Sequence, residues 1–199
     1  MPRPRIVYAI PAGGVPVGIV VAERLGAVLD VVPVKKATFP WTTEAGFGAV
    51  APGGTVVVDK AVAALLGEEV AEEQVARASE AVKRRLALLR GTPRYPRLDN
   101  TPVLVVDDGI AAGWTMVAAT RFLNGLGARV YAAAPTGSID GSKRVAEEAR
   151  RVAVLNLRGG PVFAVADAYV EWRDLGDDKV LEMLEEAKKK GIYRPVEAA

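Results

Sequence analysis

At 199 residues, half of them hydrophobic and a quarter charged, the chain carries enough apolar material for a sizeable core, and one domain with an accessory lobe fits that length better than two full domains. Its 26 Lys and Arg against 24 Asp and Glu exclude a nucleic-acid-sized basic surface, so nucleic acid is not an expected partner and any polyanion must be held locally. The lack of Cys and His removes thiol nucleophiles, disulfides, imidazole bases and ordinary zinc sites together, leaving Asp, Glu, Lys and Tyr for proton transfer.

Residues 6–10 form the first apolar run, too short for a signal-peptide core, and no run approaches a membrane span. A cytoplasmic protein without a membrane partner is expected. The run reads as a strand buried on both faces, and the turn Pro11-Ala12-Gly13-Gly14 opens a helix over about 15–25. Residues 29–34 read as a second strand. Residues 35–55, with Pro40, Trp41, Thr42, Thr43, Gly46 and Gly48, lack one clear period and read as a loop or excursion that ends in a strand near 56–58.

The clearest helix is 68–90, where Ala71, Val75, Ala78, Val82, Leu86 and Leu89 recur at steps of three and four between Gly67 and Gly91. A proline-rich connector, 92–102, follows. Strand and helix then alternate: strand 103–106, helix 115–126, strand 129–133, helix 143–151 and strand 152–155. Residues 162–165 read as a further strand before an aromatic patch of Tyr169 and Trp172, and Asp177-Asp178 opens a final helix ended by Gly191. Lys188 to Lys190 sit where a helix C-terminus favours positive charge. The alternation predicts an α/β fold, an open, mainly parallel twisted sheet with helices on both faces and a small accessory hood. The only amides, Gln74, Asn100, Asn124 and Asn156, suit a thermophilic source.

Open parallel sheets gather ligands outside the carboxyl ends of their strands. Three segments fall there. Pro11 to Gly14 follows the first strand, Lys35 and Lys36 follow the second, and residues 107–115 follow the strand of VLVVDDGIAAGWTM. Asp107 and Asp108 diverge at the strand end, so they suit two neighbouring sugar hydroxyls better than one shared proton, although an N-cap with a solvated neighbour is the bland alternative. Gly109, Gly113 and Thr115 ahead of a helix resemble an anion cradle built from backbone amides. One of the two adjacent lysines must point away from any shared ligand.

Residues 103–116 resemble the diphosphate-sugar motif of the type I phosphoribosyltransferases, in which an apolar strand is followed by two acidic residues and a short Ala-Thr-Gly-Gly-Thr-like loop. AIPAGGVPVG at 9–18, Leu29-Asp30-Val31 through Lys35-Lys36 to Phe47-Gly48-Ala49-Val50, Pro161 to Val165, and Asp177 to Val180 are similar to an uncharacterised group of that family. The resemblance implies that Asp107 and Asp108 are the catalytic pair and hold the ribose 2- and 3-hydroxyls of 5-phosphoribosyl 1-diphosphate (PRPP). It further implies that Ala111, Ala112, Gly113, Trp114 and Thr115 bind the 5-phosphate, with Ala12, Gly13, Gly14, Lys35 and Lys36 at the diphosphate. Mg2+ would be held mainly by ligand and water, with no direct protein cage. The implied reaction moves the phosphoribosyl group to a nitrogenous base or amine and releases diphosphate.

Three departures stand against full activity. Ala12 replaces a common Arg or Lys, Ala112 replaces a frequent Thr, and Trp114 stands where Gly or a small residue is usual. Trp does not readily take the positive φ that Gly tolerates, so either the loop conformation differs or this position never requires it. Ala111 replaces the acidic residue typical of enzymes for 6-oxopurines. The alternative is therefore a weak or inactive regulatory protein that binds PRPP or a nucleotide. Residues 37–54 and 162–176 are the expected hood elements over the acceptor, where Trp41, Phe47, Tyr169 and Trp172 either stack on a base or pack. The family often forms homodimers, which makes a homodimer an expectation here.

Overall fold

A computed structural model of the chain describes residues 3–43, 45–160 and 163–197. The chain runs β1 (Ile6–Ala9), α1 (Gly14–Leu25), β2 (Val28–Val31), β3 (Lys35–Thr38), β4 (Gly46–Ala51), β5 (Thr55–Val58), α2 (Lys60–Leu66) and α3 (Glu68–Arg85). It continues with β6 (Pro102–Val106), α4 (Trp114–Gly125), β7 (Arg129–Ser138), α5 (Ile139–Ala146), β8 (Val152–Arg158) and α6 (Asp177–Lys189).

The continuous apolar runs became inner strands because both of their faces are covered. Ile6, Tyr8, Val103 and Val105 face a layer with Met116, Val117 and Leu123 of α4 and Val145 of α5. Val7, Ala9, Leu104 and Val106 point the other way, onto Val15 and Ala22 of α1 and Val180 and Leu184 of α6. The strands lie in the order β2-β1-β6-β7-β8, and every pair is parallel. Helices thus cover both faces of an open parallel sheet. The order reverses between β1 and β6, which opens a crevice at their carboxyl ends.

A second, three-stranded antiparallel sheet, β3-β4-β5, corrects the reading of 35–55 as loop. Its strands hide their period for two reasons. Glycines at 46 and 48 interrupt the alternation, and β4 is buried on both sides, with Phe47 and Val50 in the clusters of α3 and Ala49 and Ala51 in that of α4. Phe47 is only 2 % exposed, so it packs in the core and offers no stacking surface.

Other boundaries moved as well. The 68–90 helix is α-helical to Arg85 and closes with a π turn over Leu86–Arg90, and α2 precedes it with its first amides capped by Asp59. The helix expected at 143–151 starts earlier, because the Ser138 hydroxyl caps the Gly141 N–H at 2.9 Å. Of the closing strand expected at 162–165, Val162 lies outside the described residues, as does Pro161 before it. The rest is no strand: 165–168 form a 3-10 turn. The physical reason is that Val165 packs against Gly109, so this segment crosses over the aspartate loop and does not extend the sheet.

Candidate active site

Two loops meet at the crevice between β1 and β6. Ala9 pairs with Val106, and the Ile10 N–H donates to the Val106 carbonyl at 3.0 Å, so the Pro11–Gly14 turn and the Asp107–Asp108 turn leave the sheet side by side. The Pro11–Ala12 peptide is cis. Contact between the loops depends on Gly13: a Cβ there would lie 1.6 Å from Asp108 Oδ2, and one on Gly14 would lie 2.8 Å from the Val106 carbonyl oxygen and 3.2 Å from Asp107 Oδ1. Any larger side chain at 13 displaces the carboxylate.

The two carboxyls differ in environment. Asp107 is 8 % exposed, and its Oδ1 accepts the Asp108 N–H at 3.0 Å. Burial first, and the neighbouring Asp108 charge second, push the Asp107 carboxyl well above its usual range. Burial also raises Asp108, against the hydrogen bond from Asp107 and the positive charge of Lys36. The adjacent lysines separate as a strand requires. Lys36 acts electrostatically on both aspartates, whereas Lys35 sits with Arg84, Arg85 and Asp177, where burial and then the Arg85 charge lower its pKa.

Beyond the aspartates the chain passes through Ala111 and Ala112 into α4. Gly113 carries the positive φ, +84°, as the residue before the helix, and Trp114 is the first helical residue. Trp114 therefore never needs the left-handed conformation. A Cβ on Gly113 would lie 2.7 Å from the Gly141 carbonyl, so the α4 N-terminus rests closely on α5. The N–H groups of the first turn of α4, including those of Trp114 and Thr115, point out of the helix start as an anion-accepting end.

No protein-family model matches the chain. Two curated relatives from Mycobacterium tuberculosis, strains CDC 1551 and H37Rv, each named "Putative phosphoribosyl transferase", are 35% identical over 188 residues, 92% of this chain. The chain spans 42% of the length of those relatives. The crystal structure of TT1426 from Thermus thermophilus superposes with a TM-score of 0.70 at 32% identity, covering 92% of this chain and 88% of that one. Over nearly its whole length the chain is thus similar to proteins named phosphoribosyl transferases.

Several residues that shape this crevice carry no signal in the sequence. Arg85 reaches across 74 positions to donate to the Pro11 carbonyl at 3.0 Å while pairing with Asp177. Ser138 donates to the Ala111 carbonyl at 2.6 Å. Arg144 donates to the Ala112 carbonyl and lies over the Trp114 ring, 4.2 Å from its centroid. Periodicity cannot identify such partners, because each pairing exists only after α3, α5 and β7 have docked. Tyr169 stands out in the sequence only as an aromatic. Its hydroxyl donates to the Asp108 carbonyl at 2.7 Å, and burial followed by the Asp108 and Asp107 charges raises its pKa.

Proposed function

We propose that the chain transfers the 5-phosphoribosyl group from PRPP to a nitrogenous base or amine, releasing diphosphate. The observation that carries this reading is the Asp107–Asp108 pair held against the Gly13–Gly14 backbone at the switch point, with the α4 N-terminus next in the chain. Asp107 and Asp108 accept hydrogen bonds from the ribose 2- and 3-hydroxyls, Ala111 to Thr115 take the 5-phosphate on backbone amides, and Ala12, Gly13 and Gly14 face the diphosphate. As the bond from the anomeric carbon to diphosphate breaks, the sugar gains oxocarbenium character. The buried carboxylate pair below the ring stabilises that charge, and this electrostatic placement needs no imidazole or thiol. Lys36, whose field already reaches the aspartates, contributes positive charge on the leaving-group side.

Among the described residues no group of three or more carboxylates converges as a cation cage. The donor set present, Asp107 with Asp108, suits a hard ion that takes most of its oxygens from substrate and water. Mg2+ bound in that way supplies neutralising charge to the diphosphate. Residues 37–54 and 163–176 serve as hood elements in this reading, the work is done in the cytoplasm, and a homodimer is the expected assembly.

The test is thermal. Mg2+ with PRPP is expected to raise the melting temperature, because a ligand of the native state must stabilise it, by about 2.7 kcal/mol at a hundred times Kd. Asp107→Ala with Asp108→Ala should fold and lose that rise. A rise that survives in the double variant removes the aspartates from the sugar site. The second reading, binding without turnover, is favoured by the uncharged Ala12 beside the diphosphate position. It prevails when PRPP stabilises the chain and no acceptor yields diphosphate.

A further inference from the structure

α1 carries more apolar surface than its own sheet buries. Val15, Gly18 and Ala22 are buried toward the sheet, Val17 and Val21 are partly buried against the same core, and Val20 beside them leaves 56 % of its surface exposed. An apolar patch left open on a surface helix implies something to cover it. Opposite it stands the segment at 169–175, pinned by the Tyr169 hydroxyl to the Asp108 carbonyl, with Tyr169 and Trp172 tilted against each other at 5.2 Å. Between the two walls lies a groove of about 680 Å³, and Gly13 and Asp108 are among the residues that line it. The groove is therefore continuous with the site assigned above to PRPP.

Its chemistry is one-sided. The walls are Val17, Val20, Val21, Trp172 and Leu175. The Tyr169 hydroxyl spends its proton on the Asp108 carbonyl; of the three charged side chains at the groove, Asp108 is assigned above to the sugar, and Glu171 and Arg173 are exposed and approach each other to 3.7 Å. A base rich in carbonyl and N–H groups would lose water there without gaining matching partners, while a flat apolar ring loses nothing by entering.

We propose that the groove between α1 and residues 169–175 is the acceptor site and that the acceptor is an apolar aromatic nitrogen heterocycle of the azole class, in preference to an oxopurine or oxopyrimidine. The proposal rests on the phosphoribosyl-transfer reading. The ring nitrogen lone pair forms the bond to the anomeric carbon as the carbon–oxygen bond to diphosphate breaks. The bonding electrons leave with diphosphate, and the azole N–H proton passes to solvent.

The experiment measures diphosphate release from Mg2+ and PRPP by the full chain with benzimidazole, hypoxanthine and uracil in turn, alongside the melting-temperature shift given by Mg2+ and PRPP alone. Benzimidazole is expected to show kcat/KM at least about tenfold above either oxo base, the value of one unmatched buried polar group. Trp172→Ala and, independently, the exposed-site variant Val20→Arg are expected to raise the benzimidazole KM severalfold while leaving the PRPP shift intact. Equal or better use of an oxo base, no diphosphate release with benzimidazole, or an unchanged KM in both variants overturns the groove assignment while the PRPP shift still stands. Absence of the PRPP shift in the unmodified chain overturns the transfer reading and the acceptor site with it.

Discussion

Asp107 illustrates how a buried carboxyl lowers the stability of the fold that holds it. Its raised pKa means that the folded state binds a proton more tightly than the unfolded chain, so the stability this group lends is complete below the ordinary carboxylate range and is lost as pH rises through the folded value. Near neutrality the buried charge is therefore a cost. Asp107→Asn is expected to melt higher than the parent in the absence of ligand at pH 7, by about 2–4 °C for each kcal/mol recovered. The gap should narrow as the buffer is taken toward pH 4, and scanning calorimetry across that range checks it; a gap that widens on acidification contradicts the assignment of the cost to Asp107. Arg144 acts at the same scale. It ties down the Ala112 carbonyl and covers Trp114, placing a guanidinium beside the loop proposed above to take the 5-phosphate. Arg144→Ala should raise the Kd for PRPP about tenfold or more, the worth of a charged hydrogen bond, as read by titration calorimetry.

At the scale of elements, a buried ion pair ties β2 to the end of α3 and to the C-terminal segment. The side chains of Asp30 and Arg90 are fully buried. The Arg90 Nε and Nη2 donate to the Asp30 carboxylate at 3.0 Å, and the N–H groups of Val31 and Val196 donate to it at 2.7 and 2.9 Å. Arg90 also donates to the carbonyls of Thr92, Arg94 and Val196 and lies 3.8 Å from the centre of the Tyr95 ring. The π turn at the end of α3 carries Arg90 to that position. Removing one partner of such a pair strands the other charge, so Arg90→Ala should lose about 3–5 kcal/mol in denaturant unfolding. A loss within the surface range of about 0.5 kcal/mol would show that the pair is dispensable.

For the molecule as a whole, the switch in strand order does the assembling. β1 and β6 are far apart in sequence yet adjacent and parallel, so two loops of weak individual meaning, one with glycines and one with carboxylates, become one crevice. The helices on either face then take different parts. α4 follows the loop proposed for the 5-phosphate, and α1 carries both the sheet contact and the apolar side chains that line the groove. The small sheet packs between α3 and α4 and brings Lys36 within electrostatic reach of the aspartates.

Much of this is legible in the chain. The uninterrupted apolar runs at 6–10 and 103–106 mark buried parallel strands, because only side chains covered on both faces lose the alternation of a surface strand. The Asp107–Asp108 pair and its glycine loop carry the family resemblance, since local motifs encode chemistry that the backbone alone presents. The β3-β4-β5 sheet is not legible, because β4 is shielded on both sides and broken by glycines, which erases the period that reveals strands. Nor are Arg85, Ser138 and Arg144, which act only across distances that docking closes. The order of residues is enough to say which strands are buried, which carboxylates end them and that this chain offers no thiol or imidazole. It took the packed molecule to establish that Gly13 lies under Asp108, that Lys36 and not Lys35 acts on the pair, and that α1 and Trp172 enclose a groove beside it, because each of these depends on which surfaces meet when separate elements pack.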